Sequence, residues 1–272
     1  MKTPHVVRFA ILAGFLALVP SSRAAFLEDF QFNDPDGTAL NAATNSASAH
    51  QWVHDTDHVA SIQVQGGALN IVKNDTNFVT EGLGLDDVST GVLWMVAEFR
   101  DWAILGAAPD GNNVEEIRFG FMGTEDLTPP PSSTVLAEMM ISRNHGAGQF
   151  QISGSALGAG GTNLAPAAID FVQDEPFVMA MRVDQTTNTY QVYYQDGSNP
   201  LMTLGSGNLE PTRDAIVVRM SVNNFIGDSV GEFANLDRFY ISNHRPAGIP
   251  EPSTCMLAAF AALGLLLRRR AD

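Results

Sequence analysis

The chain has 272 residues, of which 45% are hydrophobic, and a formal net charge of −15 at neutral pH. Without the terminal segments defined below, the body holds 28 acidic and nine basic residues, a formal charge of −19. A field of that sign repels phosphate backbones and excludes nucleic acid as a partner, while it suits solubility outside the cell.

The first 24 residues have the three-part layout of a secretory signal peptide. A short positive region precedes an unbroken apolar run at residues 9–19 (FAILAGFLALV), and Pro20 ends that run. Small residues then lead to a cleavage point after Ala24. We therefore expect a signal helix that engages the Sec translocon and is removed, so that the folded domain begins at residue 25.

Residues 25–244 show strand signals at short spacing and no long segment with a helical period. In residues 177–183, apolar side chains alternate with others, and a turn at 184–188 leads into a second alternating run at 189–194. The other strand candidates are 92–99, 117–122, 135–141, 201–204 and 217–222, of which 135–141 also fits a helical turn by propensity. Short strands between Gly, Asn, Asp and Pro clusters predict one all-β domain, an antiparallel β-sandwich of the jelly-roll type.

Three stretches of the body carry a resemblance to a known fold family. They are the opening residues 27–30 and 37–40 (LEDF and GTAL), the hairpin 178–194, and the closing residues 235–242 (NLDRFYIS). The body resembles the concanavalin A-like or laminin-G-like jelly rolls of exported bacterial proteins. This resemblance implies a carbohydrate-binding or adhesive module, although the family also includes glycan hydrolases and lyases, and fold alone does not decide between them.

The C-terminus has three parts in order after a linker at 245–249: a Pro-Glu-Pro motif, an uncharged apolar stretch and an arginine cluster. They are Pro250, Glu251 and Pro252; residues 254–267; and Arg268, Arg269 and Arg270. Prolines keep the motif extended, as a protease requires. The apolar stretch is shorter than the roughly 20 residues of a usual membrane span, so it favours transient membrane association over a lasting anchor.

Residues 250–272 resemble the PEP-CTERM sorting signal of Gram-negative bacteria. The resemblance implies that an exosortase, a membrane-embedded cysteine protease, recognises and cuts the tail. It also implies a location in the cell envelope or an extracellular polysaccharide matrix. The alternative is a plain C-terminal transmembrane anchor.

Few residues of the body are candidate metal ligands. The one cysteine, Cys255, lies in the tail, so the body has no Cys-based metal site. His50, His54 and His58 would share one face of a helix, as a zinc site requires, but on a strand the outer two would lie about 27 Å apart. The β-rich context favours surface histidines. Calcium is the more plausible ion, because laminin-G-like folds often hold one with oxygen ligands. Oxygen-bearing side chains in candidate turns are those of Asp34, Asp36, Asp110, Asn112 and Asn113, but each is more often a turn former, so we assign no calcium ligand. We assign no cofactor.

No catalytic motif is present. Glu115 and Glu116 are neighbours, so on a strand they point to opposite faces, and we interpret them as solvated acids. The residue types of a lyase site do occur, but nothing in their spacing groups them: Tyr190, Tyr193, Tyr194, Arg143 and His145.

Tryptophan side chains can stack on sugar rings. Trp94 lies inside an apolar run and is predicted to be core, whereas Trp52 and Trp102 lie near loops and are the candidates for carbohydrate stacking. The favoured hypothesis is a non-catalytic module of the envelope or matrix that binds polysaccharide. Its alternatives are a secreted glycan hydrolase or lyase and a structural matrix protein without a specific ligand.

Overall fold

The computed structural model describes residues 26–53, 62–71, 79–86, 91–103, 115–127, 132–144, 149–169, 175–223 and 233–246. The signal peptide with its cleavage point at Ala24, and the tail from residue 247 onward, lie outside these residues. Within them the chain forms 15 strands and two short 3-10 helices, Leu40–Ala42 and Ser132–Thr134. No helix of the described part is long and apolar enough to cross a membrane.

The strands follow one another at short intervals, as the sequence predicts. They are β1 (Phe26–Phe30), β2 (Trp52–Val53), β3 (Ile62–Gln65), β4 (Ala68–Ile71), β5 (Val79–Gly84), β6 (Val92–Ala103), β7 (Glu115–Met122), β8 (Val135–Asn144), β9 (Gln149–Ser155), β10 (Ala167–Ile169), β11 (Phe177–Asp184), β12 (Thr189–Asp196), β13 (Met202–Asn208), β14 (Val217–Asn223) and β15 (Phe233–Ser242).

Two antiparallel sheets form the sandwich. The eight-stranded sheet has the order β13-β12-β11-β6-β15-β4-β3, and β1 also pairs with β15. The seven-stranded sheet has the order β10-β9-β8-β7-β14-β5-β2. Neighbours in this order are often distant in sequence, as a jelly roll requires, and the predicted all-β antiparallel sandwich is confirmed.

Local signals explain several elements directly. The hairpin of β11 and β12 pairs Phe177 with Asp196 and Asp184 with Thr189. Its turn ends at Asn188, whose φ of 52° is a left-handed conformation that asparagine tolerates better than most residues. Residues 135–141, for which a helical turn was the alternative, lie in strand β8.

The core lies between the inward faces of the two sheets. Rings from both sheets meet there: Phe119 of β7 stacks on Phe239 of β15 with centroids 5.5 Å apart and contacts Phe99 of β6 at 6.2 Å. Burial of such side chains stabilises the fold by about 25 cal/mol for each Å² of apolar surface removed from water.

A second apolar cluster lies on the outward face of the eight-stranded sheet. Trp94 and Val96 of β6 alternate with the core residues of that strand and pack near Ala180, Tyr193 and Tyr240. The indole of Trp94 lies 5.7 Å from the ring of Tyr193. Trp94 is therefore buried, as predicted, but in this outward cluster and not between the sheets.

Candidate functional site

The outward face of the seven-stranded sheet carries a polar arrangement, which we call the polar face. It consists of a buried layer (Glu116, Glu138, Arg219 and Ser221) and a half-exposed strip (Arg118, Met140, Gln151, Ser153 and Ser155). These side chains alternate with core residues along β7, β8, β9 and β14, so the strand period places them all on one side.

Cross-strand register brings the members of the polar face together. Arg118 of β7 lies opposite Met140 of β8, which lies opposite Ser153 of β9. On its other side, Arg118 lies opposite Ser221 of β14. In the next row, Gly120 stands between Glu138 and Arg219.

Glu138 is the centre of an ion-pair network. Arg219 donates to its Oε2 at 2.9 Å, and Arg118 Nη1 and the hydroxyl of Ser155 donate to its Oε1 at 3.2 and 3.0 Å. Arg118 also donates from Nε to Glu116 Oε1 at 2.8 Å. One guanidinium thus links two carboxylates on adjacent strands.

The ion pair at the centre of the network is buried, so each of its two charges depends on the other for stabilisation. Arg219 is 2% exposed and Glu138 is 6% exposed. Burial lowers the pKa of Arg219, and the charge of Glu138 partly offsets that effect. Glycine at position 120 leaves room for this pair, because a Cβ there would lie 3.0 Å from the Cβ of Glu138.

The half-exposed strip presents the groups that a ligand can reach. The side chain of Arg118 is 29% exposed, and it shares this face of the sheet with two hydroxyls, one amide and the thioether of Met140. This strip combines hydrogen-bond donors, acceptors and a small apolar contact on one face of the sheet, and such groups can bind a polar ligand.

The two tryptophans proposed for sugar stacking are in the core, so that prediction is wrong. Trp52 is 2% exposed and contacts Phe30 and Phe239, with centroids at 5.9 and 5.4 Å. Trp102 is 1% exposed and lies between Phe150 and Phe177, at 5.4 and 5.1 Å. Neither indole offers a face to solvent.

Other predicted residues are distributed as follows. The prediction that Glu116 is a solvated acid is wrong, because Glu116 is 3% exposed and paired with Arg118. Tyr190 and Tyr194 of β12 lie in the core between the sheets and Tyr193 in the outward cluster, whereas Arg143 belongs to β8 of the other sheet. His145 lies outside the described residues.

The two described turn acids considered for calcium accept hydrogen bonds from backbone amides. Asp34 accepts from the amide of Thr44 at 2.9 Å, and Asp36 accepts from the amide of Gly66 at 2.8 Å. Asp110, Asn112, Asn113, His54 and His58 lie outside the described residues. Among the described ones, no group of three or more His, Cys, Asp or Glu side chains could hold a metal ion.

Comparison with protein families identifies the tail. Residues 248–270 match the PEP-CTERM protein-sorting motif. The chain is therefore an exported protein of a Gram-negative-type envelope. A search of curated proteins finds no match.

Comparison with solved structures concerns the body. The CBM2 module of the evolved Dit of Lactobacillus casei BL23 phage J-1 superposes with a TM-score of 0.53 at 10% identity, covering 82% of this chain and 98% of that one. The Emp46p carbohydrate recognition domain, in a potassium-bound form, gives 0.49 at 10% identity, covering 78% and 97%. Lectin UEA-II complexed with galactose gives 0.46 at 11% identity, covering 79% and 96%. At 10% identity the CBM2 module shows a shared fold alone, and that fold is the jelly roll predicted from the sequence.

Proposed function

We propose that this chain is a non-catalytic, polysaccharide-binding module of the cell envelope or extracellular matrix, and that the polar face is its binding surface. In this proposal the leader ends at Ala24, residues 25–244 form the binding domain, residues 245–249 are a linker, and an exosortase removes the sorting signal that starts at Pro250. The observation that carries the proposal is the half-exposed strip around Arg118, held in place by the buried pairs of Glu138.

The chemistry of the polar face suits sugar hydroxyls. A guanidinium donates two parallel hydrogen bonds in a fixed geometry, and serine hydroxyls and the Gln151 amide can donate or accept. Met140 supplies an apolar contact for the C–H groups of a sugar ring. Because the body carries a formal charge of −19, it repels polyanions, so we expect a neutral polysaccharide.

Replacing Arg118 with alanine is expected to weaken glycan binding at least about tenfold. The reason is that a hydrogen bond from a charged group contributes about 1.5 kcal/mol or more to the free energy of binding. The measurement is a glycan array followed by titration of the best neutral oligosaccharide. Arg182→Ala is the matched control: Arg182 has a similarly exposed side chain (24%), is paired with Asp184, and lies on the outward face of the other sheet. Equal loss in both variants, or no loss in Arg118→Ala, contradicts the assignment of the polar face.

The competing hypothesis is a glycan hydrolase or lyase, and the paired carboxylates Glu116 and Glu138 are the observation in its favour. Glycosidases do use two carboxyl groups on one face, and both must reach the glycosidic bond. Here Glu116 and Glu138 are 3% and 6% exposed, and arginine side chains bind both carboxylates, so a polysaccharide has little access to either. Release of reducing ends or unsaturated sugars from a bound polysaccharide, lost in Glu138→Gln, would establish the enzyme instead.

Replacing Pro250, Glu251 and Pro252 together with alanine is expected to leave the tail uncut in the native host, because the extended motif is what a sorting protease would bind. Intact-mass analysis of the exported protein measures this: the variant should retain the C-terminal segment that the parent loses. Arg245→Ala, in the linker, is the control and should be processed normally. A variant with the same mature mass as the parent rules the motif out as the recognition element.

A further inference from the structure

His50 is held in one orientation by a buried carboxylate. Its Nδ1–H donates to Oε1 of Glu28 at 2.7 Å. Glu28, only 1% exposed, also accepts from the hydroxyl of Ser48 at 2.6 Å and from the side-chain amide of Asn45. These donors fix the position of the carboxylate, and the carboxylate fixes the imidazole and its tautomer.

The other nitrogen of His50 faces a second carboxylate. Nε2 lies 3.3 Å from Oδ1 of Asp86, whose side chain is 90% exposed. Since Nδ1 carries the proton, Nε2 presents a lone pair, and two acceptors at this distance repel each other unless a positive charge lies between them. A proton or a metal cation can supply that charge.

The separation also suits a particular cation. Zinc binds imidazole nitrogen and carboxylate oxygen at roughly 2.0 to 2.2 Å with tetrahedral angles, so two of its ligands stand about 3.3 Å apart. Zinc-binding histidines almost always donate their second ring N–H to a carboxylate or carbonyl. Glu28 provides that partner here.

We propose that His50 Nε2 and Asp86 Oδ1 form a surface site for a divalent cation of the zinc type, with Glu28 as its positioning residue. Solvent completes the coordination, so the site is open and exchangeable. It differs from the cluster of His50, His54 and His58 considered above, because its second ligand, Asp86, lies just after β5. The hydrogen bond to Glu28 is also the largest cause that raises the pKa of His50, so zinc and a proton compete for Nε2.

The test is a titration of the tag-free mature protein with zinc chloride at about pH 8, where an ordinary imidazole is neutral. We expect one site in the parent, weakened at least about tenfold in both His50→Gln and Asp86→Asn, and about 10- to 100-fold in Glu28→Gln. Cobalt substitution should give visible absorption bands in the parent that His50→Gln and Asp86→Asn both lose. His50 and Asp86 are surface residues, so their variants remain informative if Glu28→Gln does not fold.

Two control variants distinguish zinc binding at His50 and Asp86 from zinc binding at other histidines. His244→Gln removes a histidine that contacts Asn243 and should bind zinc as the parent does. The double variant His54→Gln/His58→Gln should also retain binding. The proposal fails if His50→Gln or Asp86→Asn binds zinc as tightly as the parent, or if the double variant abolishes binding.

Discussion

Glu138→Gln is expected to lower the free energy of unfolding by about 3 to 5 kcal/mol, the usual cost of removing one partner of a buried ion pair. Glutamine keeps the shape of the side chain but not its charge. Arg219, at 2% exposure, would then be left as a buried cation whose bound carboxylate is gone. Arg118 would keep Glu116 but lose its second carboxylate.

Urea unfolding followed by tryptophan fluorescence measures the change, because the midpoint shifts without a change in slope if only stability is affected. Glu125→Gln is the matched control: this glutamate lies after β7 and is exposed, so its variant should stay within about 0.5 kcal/mol of the parent. The double variant Glu138→Leu/Arg219→Met should recover much of the loss, since an apolar pair of similar volume often replaces a buried ion pair without cost. If Glu138→Gln unfolds at the parent midpoint, the buried network does not stabilise the polar face.

The face of the sheet on which the charged side chains of this network lie can be predicted from the sequence. Arg118, Glu138 and Arg219 each stand in an apolar run, IRFGFM, VLAEMMI and VVRMSV, at positions that alternate with core residues. A strand period therefore assigns all three to the outward face. The sequence could not show that they meet, because Glu138 and Arg219 are 81 residues apart and their contact depends on β7 lying between β8 and β14.

The strand candidate 92–99 ends before Trp102, so the sequence places this residue near a loop. Strict alternation from the inward-facing Phe99 would place residue 102 on the outward face, near the end of the strand. In the structure β6 continues to Ala103, and β15 pairs with Phe99 and Asp101 but not with Arg100. This bulge adds one residue to the strand and reverses the alternation, so Trp102 turns inward. No periodicity in a single sequence predicts where a bulge falls.

Trp102→Ala is expected to destabilise the domain by about 3 to 5 kcal/mol, since it removes a buried indole and leaves a cavity between two sheets. Phe150 and Phe177, which contact the indole from the two sheets at 5.4 and 5.1 Å, would lose their common neighbour. Trp102→Phe should cost less, because a ring remains to fill most of the space.

Urea unfolding again provides the measurement. Leu157→Ala is the control: the Leu157 side chain is 38% exposed, so its truncation should lower the free energy of unfolding by less than about 0.5 kcal/mol. The same variants separate the two roles considered for this tryptophan. A core role requires that Trp102→Phe keep the glycan affinity of the parent while Trp102→Ala loses stability. If Trp102→Ala were as stable as the parent yet bound no polysaccharide, the indole would be a sugar platform, and the ligand would have to enter between the sheets and not on the polar face around Arg118.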